Sequence, residues 1–146
     1  MKRDAAFLSF LALLACMLLP GIAGSAQDAG LTPEEAEFQE WMESIRQTVG
    51  SLALNLQDKA GDAAVSDAKK LQELFGRVHA FFQKNNVSSA MKFAADTQSG
   101  FQEAGELASA GKLEEALAKF HATRANCTSC HEAHRENVEG NWKIKY

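Results

Sequence analysis

The chain has 146 residues, with 15 Lys and Arg against 19 Asp and Glu and a formal net charge of −4 at pH 7. That length predicts one domain. The mild acidity and the lack of a basic stripe speak against nucleic-acid binding, and only the front of the chain carries an apolar run near membrane-spanning length.

That run opens the sequence, "MKRDAAFLSFLALLACMLLPGIAGSAQDAG". Lys2 and Arg3 form a basic start, an apolar stretch follows from about Ala5 to Leu19, Pro20 and Gly21 break it, and Gly24-Ser25-Ala26 supplies small residues for cleavage. Residues 1–26 therefore read as a cleaved signal peptide, and residues 27–146 as one exported, periplasmic domain. The small-residue exit and the absence of a second basic flank separate this from a membrane anchor, so no span is expected in the mature chain. Cys16, in "LLAC", raises the alternative of a lipid-anchored chain, although "MLLPGIAG" would make an unusually apolar mature start. Once the peptide is removed, only Cys127 and Cys130 remain.

The rest is rich in Ala, Glu, Leu, Gln and Lys, which favour helices, and it shows no evident β-branched alternation. Thr32-Pro33-Glu34-Glu35 is a helix start with a capping box and Pro at the first position. Phe38, Met42, Ile45, Val49, Leu52 and Leu56 then recur at helical spacing. Gly61 and Asp62 mark a turn. A second helix is predicted over 63–84, with Val65, Ala68, Leu71, Leu74, Phe75, Val78 and Phe82 inward. A third spans 89–110 on Met91, Ala94, Ala95, Phe101, Ala104 and Leu107. After a stop at Gly111, a fourth spans 113–138 on Leu113, Ala116, Leu117, Phe120 and Thr123. Four such helices with short links predict an all-α, antiparallel up-down four-helix bundle.

The fourth helix carries "ANCTSCHEAHR", residues 125–135. Cys127, Cys130 and His131 stand at i, i+3 and i+4, on one helical face. The spacing is that of covalent haem attachment, C-x-x-C-H. Two thiols one turn apart can add to the two vinyl groups of a haem edge, and the neighbouring imidazole can reach the iron. Arg135, four beyond His131, is expected on the same face as a contact for a haem propionate. Thr128 and Ser129 are expected to face water. A zinc site drawing on Cys127, Cys130, His131 and His134 would need one straight helix to wrap a tetrahedral ion. A thioredoxin-like pair would want a preceding strand. A plain disulfide would leave His131 unexplained, and a bound prosthetic group would add core volume to a short chain. No acid, base and nucleophile constellation suggests an enzyme.

These residues resemble the class II c-type cytochromes, the cytochrome c′ type, and the related periplasmic four-helix-bundle b-type cytochrome. The family's last helix reads C-x-x-C-H-x-x-aromatic-R, matched by Cys127, Cys130, His131 and Arg135, with His134 in the aromatic place. "LASAGKLEEALAKF" is similar to the junction before that helix, and "WMESIRQTVGSL" to the first helix. The resemblance implies one haem c, held by the last helix and covered by the first. Members of the family are often dimers, so a homodimer is implied, and a filled sixth iron position would imply one-electron transfer with a periplasmic redox protein.

The sixth iron position decides between two activities. Helices one and four are ring neighbours, and the start of one meets the end of the other. Met42 and His131 lie at matching depths, so Met42 is expected as the distal ligand, and "MESI" resembles the low-spin members. An alternative alignment through Arg46-Gln47 would put Val49 or Gly50 over the haem and leave an open site for nitric oxide or carbon monoxide. A gap-filling core role is the other reading of Met42. His79 is expected as a half-buried helix residue. His121 lies on the proximal helix and cannot reach the distal side. His134 is expected near the haem edge or water.

Overall fold

The computed structural model describes residues 30–138 and 141–146. The expected signal peptide and Cys16 lie outside the described residues. Four helices follow in order: α1 (Pro33–Gln57), α2 (Gly61–Lys84), α3 (Ser88–Ser109) and α4 (Leu113–His134). They pack on one another as a four-helix bundle.

The three links share one device. Lys59, Asn86 and Gly111 each take a left-handed conformation, with φ of 58°, 58° and 74°. The next residue's N–H then reaches back five residues: Ala60 to the Asn55 carbonyl, Val87 to Phe82 and Lys112 to Leu107, at 2.8, 3.0 and 2.9 Å. This Schellman closure satisfies the last carbonyls of each helix and reverses the chain within three residues. The first reversal therefore falls on Lys59, ahead of the expected Gly61, which is already helical.

α1 starts as expected. Thr32 Oγ1 accepts from the Glu35 N–H at 3.2 Å, and the Glu35 carboxylate accepts from the Thr32 N–H at 2.9 Å. The Thr32 backbone donor, then the Thr32 and Tyr146 hydroxyls, hold the Glu35 carboxyl below the usual carboxylate range against a partly offsetting burial cost. Because this acid is stronger in the folded chain, the box stabilises fully above the unfolded Glu pKa and fades as pH falls through the folded one. Thr32→Ala is expected to cost about 1 kcal/mol at neutral pH. In urea titrations between pH 7 and pH 3, the gap between variant and parent should narrow toward the acid end.

The core is aromatic and continuous. Phe82, Phe101, Phe120, Leu52, Leu71 and Val78 are almost fully buried. Phe75 contacts Phe101 at 5.7 Å between ring centres, and Phe101 contacts Phe120 at 6.2 Å. The inner face of α3 is made of small residues, Ala90, Ala94, Thr97, Gly100, Ala104, Gly105 and Ala108, around Phe101. Ala95, expected inside, is exposed, since one methyl group gains little from either side. The glycines allow close approach: a Cβ on Gly105 would stand 2.9 Å from Ala68, and one on Gly100 would overlap Thr123 of α4. The α1–α4 side is the most open of the four. Among the described residues, no helix is long and apolar enough to cross a membrane.

The end of the chain departs from expectation. α4 stops at His134, and Arg135 is extended, with φ −129° and ψ 134°. β1 (Arg135–Val138) then pairs antiparallel with β2 (Asn141–Ile144), with Arg135 opposite Ile144 and Asn137 opposite Trp142. The reason is local: Trp142 and Ile144 alternate with polar residues, and glycine stands between the strands in the sequence. Lys145 N–H donates to the His134 carbonyl at 2.9 Å, which satisfies part of the helix end.

Candidate functional site

The fully buried residues of α4 are Ala116, Phe120 and Thr123. Beyond Thr123 the helix only borders the core, and there stand Cys127, Cys130 and His131, all half-buried. Both cysteines are free thiols, and Thr128 and Ser129 between them are exposed, as expected for one helical face. Burial raises the Cys127 thiol, and burial with the neighbouring Cys127 pushes Cys130 up to about 11. Both therefore stay protonated near neutrality. Burial first, and the charge of Arg135 second, lower the His131 pKa. The imidazole is thereby kept neutral, the form that donates a lone pair to a metal.

The helix ends around this site are tied together. Lys84 at the end of α2 pairs with Glu34 at the start of α1, 2.8 Å apart. Ser89 Oγ at the start of α3 meets His134 Nε2 at the end of α4, 2.9 Å apart. The start of α1 and the end of α4 thus share one end of the bundle, as the depth argument for Met42 and His131 requires. Met42 is half-buried against the core, as are Trp41, next to it in sequence, and Val49, two turns further along α1. Arg46 and Gln47 are exposed and donate to Glu43, at 2.6 to 2.8 Å, which holds that carboxyl down at about 2. Gly50 is exposed too, with nothing within 4 Å of a Cβ placed on it.

Arg135 requires a correction. It does not continue the helical face of His131, because the helix has ended. Its backbone N–H donates to the His131 carbonyl, and its guanidinium carbon lies 4.1 Å above the Trp142 ring. The cation remains close enough to bias His131, but from the hairpin.

His134 is also placed differently. Its Nδ1 lies 3.1 Å from the Lys145 carbonyl, which can only accept, so Nδ1 carries the proton and Nε2 takes the Ser89 hydroxyl. The ring packs near Phe82 and Phe93. It fills the place of an aromatic and pins three chain segments, which occupies both nitrogens. Among the described residues, no three His, Cys, Asp or Glu side chains gather as a chelating set. His79 is half-buried and His121 exposed.

Sequence reasoning missed the chain end as part of this site. Gln39 Nε2, on α1, donates to the Trp142 carbonyl at 2.9 Å. Tyr146 donates to Glu35 at 3.3 Å and stacks on Phe81, and Ile144 packs against the core. The alternation in "NWKIKY" was the available signal.

Comparison with family models, with curated proteins and with solved structures finds no match for this chain.

Proposed function

We propose that the chain is an exported, periplasmic c-type cytochrome carrying one haem c and transferring single electrons to a redox protein. The observation that carries the reading is the composition of one turn of α4. Two protonated, half-buried free thiols and a neutral imidazole stand together where the helix leaves the core. These residues fit the group: Cys127 and Cys130 would hold it by thioether bonds and His131 would ligate its iron. The haem, when bound, supplies the one-electron ferric–ferrous couple.

The chain supplies the rest. Cys127 and Cys130 would hold the group to the same turn of helix, which would keep His131 at high effective concentration beside its iron. Burial keeps the imidazole unprotonated, so no proton competes with the metal. Arg135 places a cation beside His131, which favours the electron-rich state. Met42, on the inward side of α1, is the residue proposed for the sixth position. A neutral sulfur there favours the ferrous state and keeps the coordination alike in both oxidation states, so little reorganises when an electron moves.

Met42→Ala is the test. The parent should be low-spin, with the weak red charge-transfer band of thioether–ferric ligation and slow reaction with carbon monoxide. The variant should turn high-spin and bind the gas faster. A parent already high-spin, and unchanged in Met42→Ala, would replace the electron carrier with the second reading, a five-coordinate binder of nitric oxide or carbon monoxide. The half-buried Val49 favours that reading in this case, since it offers an apolar side chain, and no ligand atom, at the alternative position over the group.

A further inference from the structure

Trp142 touches α1 and, through the hairpin, the residue that follows α4, on the open side of the bundle. Its carbonyl accepts from Gln39 at 2.9 Å, and Gln39 stands one turn before Met42 on the same side of α1. Its ring lies beneath Arg135 at 4.1 Å, and Arg135 follows His131 by one turn and donates its backbone N–H to the His131 carbonyl. The next residues anchor the strand that carries it. Ile144 packs into the core, Lys145 is bonded to His134, and Tyr146 is bonded to Glu35. In the hairpin register Arg135, Ile144 and Trp142 share one face. Ile144 packs that face against the core, while Arg135 and Trp142, 51% exposed, lie at its solvent edge. Where direct α1–α4 packing is slight, this segment spans the gap one turn away from the two residues of interest.

We infer that Trp142 is a positioning residue that links α1 to α4 and sets the span between Met42 and His131. The inference rests on the reading of this site as a haem site. A guanidinium over an indole is a directional contact, and the Gln39 bond fixes the same residue along α1. Together they limit how far the start of α1 can swing from the end of α4.

Two measurements test this, on full-length chains. In the haem-loaded protein, Trp142→Ala and Gln39→Leu should each speed carbon monoxide association, by about tenfold where the open fraction rises from about a hundredth to about a tenth of molecules. Trp142→Phe, which keeps a ring beneath Arg135, should restore much of the parent rate. In the haem-free chain with Cys127→Ala and Cys130→Ala, spin labels at the exposed positions Gln47 and Thr128 report the α1–α4 distance directly. That distribution should be narrow and should broaden in Trp142→Ala and Gln39→Leu. Gln39 is exposed on α1, so its variant keeps the test valid should the tryptophan variant not fold. An unchanged label distribution in both variants would overturn the bridging role, with or without haem. A broadened distribution with an unchanged gas rate would overturn its effect on the site. A chain that takes up no haem at all would instead refute the haem reading, and the label distances would still decide the bridge.

Discussion

A chain carrying both Cys127→Ala and Cys130→Ala is expected to lose all covalently held haem, while keeping its helices. Each thioether forms when one S–H adds across one vinyl group, so each thiol accounts for one bond. Either single variant should keep one bond and a weakened haem signal after denaturing electrophoresis, and the double variant should keep none. His131→Ala should behave differently: the thioethers survive, but the iron loses its proximal ligand. Stability of the haem-free fold should change little, because Cys127 only borders the core, Cys130 is half-buried outside it, and α4 fills no deep layer beyond Thr123. Far-ultraviolet circular dichroism alongside a haem stain separates these effects. An equal haem signal in parent and double variant would remove the cysteines from the account.

The second large effect is on stability. Phe120→Ala should cost about 3–5 kcal/mol, the usual range for deleting a fully buried aromatic ring. Phe120 is wholly buried on α4, contacts Phe101 of α3, and has the Arg124 guanidinium 5.9 Å from its ring. Its neighbours are held by helix backbones and by the close Gly100–Thr123 approach, so the cavity can collapse only in part. Phe120 also lies two turns before Cys127, and its loss should loosen the seat of the whole motif. The urea midpoint should fall sharply, whereas Leu54→Ala, at a side chain 61% exposed, should hardly move it. Matching midpoints for the two variants would contradict this packing.

Much of this architecture was readable from apolar spacing and caps. Thr32, Pro33 and Glu35 announced α1, and the stripe through Phe38, Ile45, Leu52 and Leu56 is the buried one. What escaped was what local pattern does not encode. Gly61 is the glycine that marks the first turn in the sequence, whereas the reversal needs one left-handed residue, and Lys59 takes that role. Phe81 was missed beside Phe82 because α2 buries a face wider than one stripe. The sequence pattern extends the fourth helix to Val138, past its end at His134, because charged residues such as Glu136 suit a helix surface as well as a two-stranded hairpin. That error moved Arg135 off the helical face. The grouping of Cys127, Cys130 and His131 was legible because all three lie within five residues. The Gln39–Trp142 bond joins residues 103 apart in sequence, and no periodicity reports such a pairing.

The central claim is the covalent haem on Cys127 and Cys130, and the most direct measurement is the mass of the unfolded chain. Protein produced with a c-type maturation system would be denatured in acid and weighed intact. Addition of two thiols across two vinyl groups expels no atoms, so the account predicts a mass equal to the mature chain plus one whole haem. The haem should remain on the peptide holding residues 125–135 after digestion. A mass equal to the chain alone, or to the chain less two hydrogens for a Cys127–Cys130 disulfide, would contradict it.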